Sequence, residues 1–217
     1  MTRLGIRMAE ITETSAPGAD VVTLADGGQI LVRQLLPSDR DELAQRYLQL
    51  SPEARRLRFF NAPDHLSERL LDYLMDVDGP DRCALVALAI DDEDTPGVGL
   101  ARYVRSLDDL SAAEAAVTVL DAYQNRGIAT SLLRRLNDEA QDHGISTFTA
   151  SVMWENRALL DGLRALGAEV APSEPGVASV RIALPESDVA LPESDLRRAL
   201  RIFAARVDEK IGLRFHR

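Results

Sequence analysis

The chain has 217 residues, 46% of them apolar, and 35 acidic against 25 basic side chains give a formal charge of −10; that length suffices for one sizeable core plus appendages. The carboxylate surplus works against nucleic-acid binding, which rests on clustered Lys and Arg neutralising phosphates, and it suits cationic partners. No run approaches the roughly 20 apolar residues of a membrane helix, and the start "MTRLGIRMAEITETSAPGAD" lacks the apolar centre of a signal peptide, so a soluble cytoplasmic protein without membrane contact is expected.

In chain order, residues 1–20 carry no sustained period and are expected to form a loose arm. "VVTLADGGQILVRQL" holds two short β-type runs around Asp26-Gly27-Gly28, a hairpin signal. "LPSDRDELAQRYLQLS" then reads as a helix, with Ser38 and Asp41 as a capping-box variant and Leu43, Tyr47 and Leu50 on one face. "SPEARRLRFF" and "LSERLLDYLMDV" are two further short helices, the second with Leu66, Leu70, Tyr73, Leu74 and Val77 spaced for one buried stripe. Three strand-like runs follow, "CALVALAI", "VGLARYVR" and "AAEAAVTVL", and their short connections, the first of them the acidic "DDEDTPG", suggest an antiparallel meander. Cys83, the one cysteine, reads as a buried inert thiol. His65, His143 and His216 lack ligand spacing, so no metal is expected.

A helix from about Gly127 to His143 comes next, with Ile128, Leu132, Leu133, Leu136 and Ala140 as its apolar face and Gly144 as its stop. "STFTASVMW" is a strand, "NRALLDGLRALGA" a helix and "VASVRIAL" the last strand. The expected fold class is α/β (α+β), a mixed and mostly antiparallel central sheet flanked by helices. The heptapeptide "ALPESDV/ALPESDL" is written twice before "RRALRIFAARVDEKI", so residues 186–217 are read as a linker and a C-terminal helix.

"DAYQNRGIATSLLRRL" sets a tight polar turn with one glycine between a strand and a long helix. A helix N-terminus presents unpaired backbone N–H groups and the positive end of a dipole, which is an anion site. Gly127 allows close approach of phosphates, Ala129 keeps the next outward position small, and Arg126 offers a charge-assisted contact. The same pattern also serves as a plain helix start. "GxxxxGK[ST]" is absent, and the acid a dinucleotide fingerprint needs roughly 20 residues on is missing.

"QNRGIA", Gln124 to Ala129, resembles the Q/R-x-x-G-x-G/A signature of the GCN5-related N-acetyltransferases, the GNAT superfamily, and "ENRALLDGLRALGA" resembles that family's following N-x-x segment. "LVRQLLPSDRDEL", "LSPEARRLRFF", "LARYVR" and "AEAAVTVLDAYQNRGIAT" resemble, in order and spacing, the catalytic domain of actinobacterial protein lysine acetyltransferases. That branch places a cyclic-nucleotide-binding domain first; the arm leaves no room for one, and regulation by cyclic AMP is not carried over. The resemblance implies a GNAT fold over residues 21–185 and acetyl-CoA as co-substrate, without a metal. It implies that Gln124, Asn125, Arg126, Gly127, Ile128, Ala129 and Thr130 hold the pyrophosphate, with Val117, Thr118 and Val119 along the coenzyme arm.

Acetyl transfer needs a neutral amine, and a lysine amine with a pKa of about 10.4 has to lose a proton first. By spacing alone Glu114 reads as a solvated residue at a strand start; in the resembling branch a glutamate at the "AE-A" position is the general base, which makes Glu114 the candidate. Strand alternation puts Glu114, Ala116 and Thr118 on one face and Ala115, Val117 and Val119 on the other. A backbone N–H near Thr118 or Val119 would polarise the thioester carbonyl. The tyrosine that many relatives use to protonate the leaving thiolate has no counterpart in "LLDGLRAL". Asn156 caps a helix or touches the coenzyme arm, Tyr123 stacks near the site or packs the loop, and Trp154 fills the core. The implied acceptor is an amine, a protein lysine or a small molecule; a homodimer and a non-catalytic acetyl-CoA-binding module stay open.

Overall fold

The computed structural model describes residues 18–59, 63–90 and 96–184. Most of the expected N-terminal arm, the "DDED" cluster, and the duplicated heptapeptide with the expected C-terminal helix lie outside them.

β1 (Asp20–Thr23) and β2 (Gln29–Gln34) form the expected hairpin, closed by the Leu24 N–H donating to the Gly28 carbonyl at 2.8 Å. A 3-10 turn at Pro37–Asp39 leads into α1 (Arg40–Gln49). The expected Ser38–Asp41 capping box does not form: Ser38 lies inside the turn, and Asp39 caps the entry by accepting the Leu36 N–H at 2.7 Å while pairing with buried Arg33 at 2.7 Å. α2 (Pro52–Phe59) follows at once. In α3 (Glu68–Met75), Ser67 Oγ accepts the Leu70 N–H at 3.2 Å. Leu66 and Leu74 are buried as expected, but Leu71 takes the inward place the stripe reading gave to Tyr73. Tyr73 stays at the rim, 36% exposed, with Arg102 over its ring.

The meander is β3 (Arg82–Ala89), β4 (Gly97–Arg105) and β5 (Ala112–Val119). α4 (Ile128–Asp142) then crosses over to β6 (Thr147–Met153), which lies parallel to β5, as a crossover helix allows. After α5 (Arg157–Ala165) come β7 (Glu169–Glu174) and β8 (Val177–Ala183), giving the order β1-β2-β3-β4-β5-β6-β8-β7. β7 was not expected from the sequence; it tolerates Pro172 as the outermost strand of the sheet, where proline is accommodated.

α4 packs one face of the sheet through Ile128, Leu132, Leu136 and Ala140, all at most 1% exposed, and Leu159 and Leu160 of α5 join the same cluster. Gly99 lets α4 come close, since a Cβ there would sit 3.0 Å from Leu132 and 3.2 Å from Ile128. α1 to α3 form a separate cluster with Tyr47, Leu50, Leu66, Leu71 and Leu74. Arg102 of β4 ties that layer to the sheet by donating to the Tyr73 carbonyl at 3.0 Å. Cys83 is 3% exposed, and burial pushes its thiol up to about 12, so it stays protonated at neutral pH. No helix among the described residues is long and apolar enough to cross a membrane.

Candidate active site

β5 keeps its pairing with β4 from Ala113 to Val119, whereas it meets β6 only at Ala112, Ala113 and Glu114. β6 in turn follows β8 along its whole length. Each strand stays with its outer neighbour, so a seam opens between the two past Glu114. The Leu120 N–H donates to the Val98 carbonyl at 3.0 Å and the Ser106 N–H to the Ala112 carbonyl at 2.9 Å, which fixes the phase of the ladder. Even-numbered β5 residues turn their main chain to β4, and Ala115, Val117 and Val119 turn theirs to the seam. Thr118 therefore pairs its backbone with β4, which removes it from the expected backbone donors, while Val117 and Val119 keep that position.

Side chains alternate the other way. Val117 and Val119 are 4% and 5% exposed in the α4 core, and Glu114, Ala116 and Thr118 look toward the layer of α1 to α3. Thr118 Oγ1 accepts the Nε–H of Arg58 from α2 at 3.1 Å. Arg58 is 4% exposed, and burial, seconded by the nearby Arg102, holds its guanidinium down at about 10, still a cation at neutral pH. Tyr73 and Glu114 oppose that shift. Beside Thr118 a cavity encloses about 680 Å³ of space free of protein atoms, its mouth included, with Arg58 in its lining.

The polar turn sits at the mouth of the seam. After a 3-10 turn at Asp121–Tyr123, Asn125 takes φ +61° and Gly127 φ +93°, so two left-handed residues bring the chain round into α4. The Ser131 N–H closes the first helical turn on the Gly127 carbonyl at 3.1 Å, which leaves the N–H groups of Ile128, Ala129 and Thr130 ahead of the ladder. A Cβ on Gly127 would meet nothing within 4 Å. The Ile128 and Ala129 side chains point inward, 1% and 8% exposed, so Ala129 is not the outward position expected of it; the main chain alone faces out. Arg126 is turned to Asp26 of the β1–β2 hairpin and lies 5.3 Å from the Tyr123 ring centre. Its hydrogen bond holds the Asp26 carboxyl below the usual range.

Gln124 Nε2 donates to the Val119 carbonyl at 3.2 Å and ties the turn to the seam. Across the gap, Asn156 caps α5 by accepting the Leu159 N–H at 3.2 Å. It is 2% exposed, and its Nδ2 has no hydrogen-bond partner among the described residues. Capping thus uses one end of this amide and leaves its donor end over. Trp154 is half-buried against the core, as expected, and His65 is exposed.

The model of the "Acetyltransferase (GNAT) domain" family matches residues 29–169. The chain belongs to the GNAT acetyltransferase family. It is 37% identical over 147 residues to acetyltransferase PA5475 of Pseudomonas aeruginosa, covering 68% of this chain and 78% of that one. It is 30% identical over 177 residues to acetyltransferase Pat of Mycolicibacterium smegmatis, covering 81% of this chain and 52% of that protein, so it spans about half of Pat's length. The crystal structure of the GNAT domain of S. lividans PAT superposes with a TM-score of 0.69 at 29% identity, covering 78% of this chain and all of that one. The GNAT chain is accordingly an acyltransferase that draws on acetyl-CoA and serves an acceptor amine. That favours the enzyme over the non-catalytic module.

The sequence reading of this GNAT site missed Arg58 and Arg102, two buried cations on the Glu114 face. A signal existed for Arg102, a lone charge inside the otherwise apolar run "LARYV". None existed for Arg58, whose burial follows from how α2 docks.

Proposed function

We propose that this enzyme acetylates an amine by direct attack, with acetyl-CoA lying along the seam between β5 and β6 and Glu114 acting as general base. The seam carries the reading: it leaves the main-chain groups of Ala115 and Val117 and the Val119 N–H turned away from β4 without a β6 partner, beside a glycine-entered helix start. Acetyl-CoA fits these residues. Its phosphates suit the advance N–H groups of Ile128, Ala129 and Thr130, with Gln124, Asn125 and Gly127 shaping the approach, and Asn156 Nδ2 is a donor in want of an acceptor. Arg126 would have to leave Asp26 to add its charge. The thioester supplies the activated acetyl group.

Glu114 attracts the protonated amine and takes its proton, directly or through one water. With a rise of about 3.3 Å per residue, the carboxylate reaches an amine lying over Ala116 and not one at Thr118. The Val117 or Val119 N–H then faces the carbonyl oxygen as negative charge develops on it. Residues 21–185 make up the transferase domain. The resemblance of its segments to protein lysine acetyltransferases supports a protein lysine as acceptor. The half-open, mostly apolar cavity beside Thr118 favours a second reading, a small amine.

Thiol release from acetyl-CoA over a panel of amines and proteins tests the base. Glu114→Gln is expected to lower kcat/KM by about 10²- to 10⁴-fold while keeping the thermal shift caused by coenzyme A. Equal turnover by both proteins would place the base elsewhere.

A further inference from the structure

Building on that reading of the site, we infer that buried Arg58 and Arg102 bind a carboxylate of the substrate, so that the enzyme prefers an acceptor carrying a carboxylate beside its amine, as an amino acid does. Three arginines are buried in the described residues of this half of the sheet, and they are not alike. Arg33 holds Asp39 with both terminal nitrogens, at 2.7 and 2.8 Å. Arg58 has one side-chain hydrogen bond among the described residues, to the neutral Thr118 hydroxyl. Arg102, 3% exposed, donates to the Tyr73 carbonyl and lies 4.3 Å from the Tyr73 ring centre, while its Nε and Nη2 have no hydrogen-bond partner among the described residues. Neither Arg58 nor Arg102 forms an ion pair among the described residues. Burying a guanidinium costs several kcal/mol unless an anion and hydrogen bonds compensate. Glu114 favours both cations and Asp76 favours Arg102, but the donors left over on Arg102 and the mutual repulsion of the two guanidiniums suit a further anion.

The register places them. Thr118 stands opposite Leu100, Ala116 opposite Arg102 and Glu114 opposite Val104, so the small side chain of Ala116 lies between Thr118, which holds Arg58, and the proposed base, with Arg102 level with Ala116. Two residues of strand span about 6.6 Å, close to the reach of an amine and a carboxylate on one carbon together with their hydrogen bonds. An amine over Ala116 would meet Glu114 while its carboxylate meets the fork of Arg58, and guanidinium matches carboxylate in geometry as well as charge. Arg58 also lines the cavity, whose walls include Leu43, Tyr47, Leu66, Leu100 and Leu120 and thus suit an apolar side chain on the acceptor. An acyl group ending in a carboxylate would satisfy the same cations, so the carboxylate has two possible sources.

The test compares substrate pairs. With acetyl-CoA, kcat/KM is measured for leucine, methionine and phenylalanine against their carboxamides and decarboxylated amines; with a plain amine acceptor, succinyl-CoA is set against acetyl-CoA. A preference of about 100-fold for the carboxylate is expected in the acceptor arm; a preference confined to the acyl arm would put the carboxylate on the acyl group and overturn the acceptor reading. In Arg58→Met the preference should fall below about 10-fold, with the coenzyme A thermal shift kept. Arg58→Lys, which keeps the charge without the fork, should fall between. Binding is read without turnover by the thermal shift from N-acetyl-leucine, present in wild type and lost in Arg58→Met. Ratios near one in both arms of the wild type, a comparison that needs no variant, would overturn the inference. If Glu114→Gln is inactive in the same experiment, the general-base reading stands while the carboxylate site falls. The reverse pattern, a strong carboxylate preference with an active Glu114→Gln, would keep the site and remove the base.

Discussion

Asn156 shows how one side chain is divided between structure and chemistry. Its oxygen closes the N-terminus of α5, and its buried Nδ2 has nothing to donate to among the described residues. Aspartate caps helices as well as asparagine does but has no N–H. Asn156→Asp keeps the cap but buries a charge and removes the donor, so it is expected to lower the melting temperature by several degrees and to weaken coenzyme A binding about tenfold or more, measured by calorimetry. Weakened stability with unchanged binding would reduce the residue to a cap. Gly127 makes the complementary point. At φ +93° any other residue costs about 1 kcal/mol in backbone strain, although the space for its side chain is open, so this glycine serves the turn whatever lies in front of it.

At the scale of elements, the placement of α2 decides where Arg58 points. Ser51 caps α2 by accepting the Ala54 N–H at 3.1 Å, and Asp121, just past β5, grips Ser51 through its N–H at 2.9 Å and its hydroxyl at 3.1 Å. Arg56 of α2 pairs with Glu155 beyond the end of β6, so the helix is fastened to both sides of the seam. Asp121→Ala should cost about 1 to 2 kcal/mol in denaturant unfolding and raise KM for the acceptor more than for acetyl-CoA, because it frees the helix that carries Arg58. Equal changes in both KM values would mean that α2 does not shape the acceptor side. This is also where the sequence stops being legible. The strand, turn and helix from Glu114 to His143 are local, written in alternation, one glycine and a 3.6-residue period, and they stand in the structure as read. The meeting of Arg58, Arg102 and Thr118 joins three distant segments through packing, for which no short pattern exists. The rotation of α3 onto Leu71 and the survival of β7 despite Pro172 were likewise settled by tertiary neighbours over local preference.

Across the whole molecule the sheet is two blocks, β1 to β5 and β6 with β8 and β7, joined at only three register positions. Central strands ordinarily protect their amides best. Here Val117 and Val119 present theirs to the gap, so hydrogen exchange should find them faster than Thr118 in the free protein and slowed when coenzyme A is bound. Fast exchange in both states would mean that nothing bridges the strands. A ligand that bridges the blocks works as a staple, and binding at 100 times its dissociation constant adds about 2.7 kcal/mol to the folded state. For a protein whose margin over unfolding is of the order of 10 kcal/mol, survival in a proteolytic environment then tracks the supply of that metabolite, and starvation for thioester would thin out the enzyme along with its substrate.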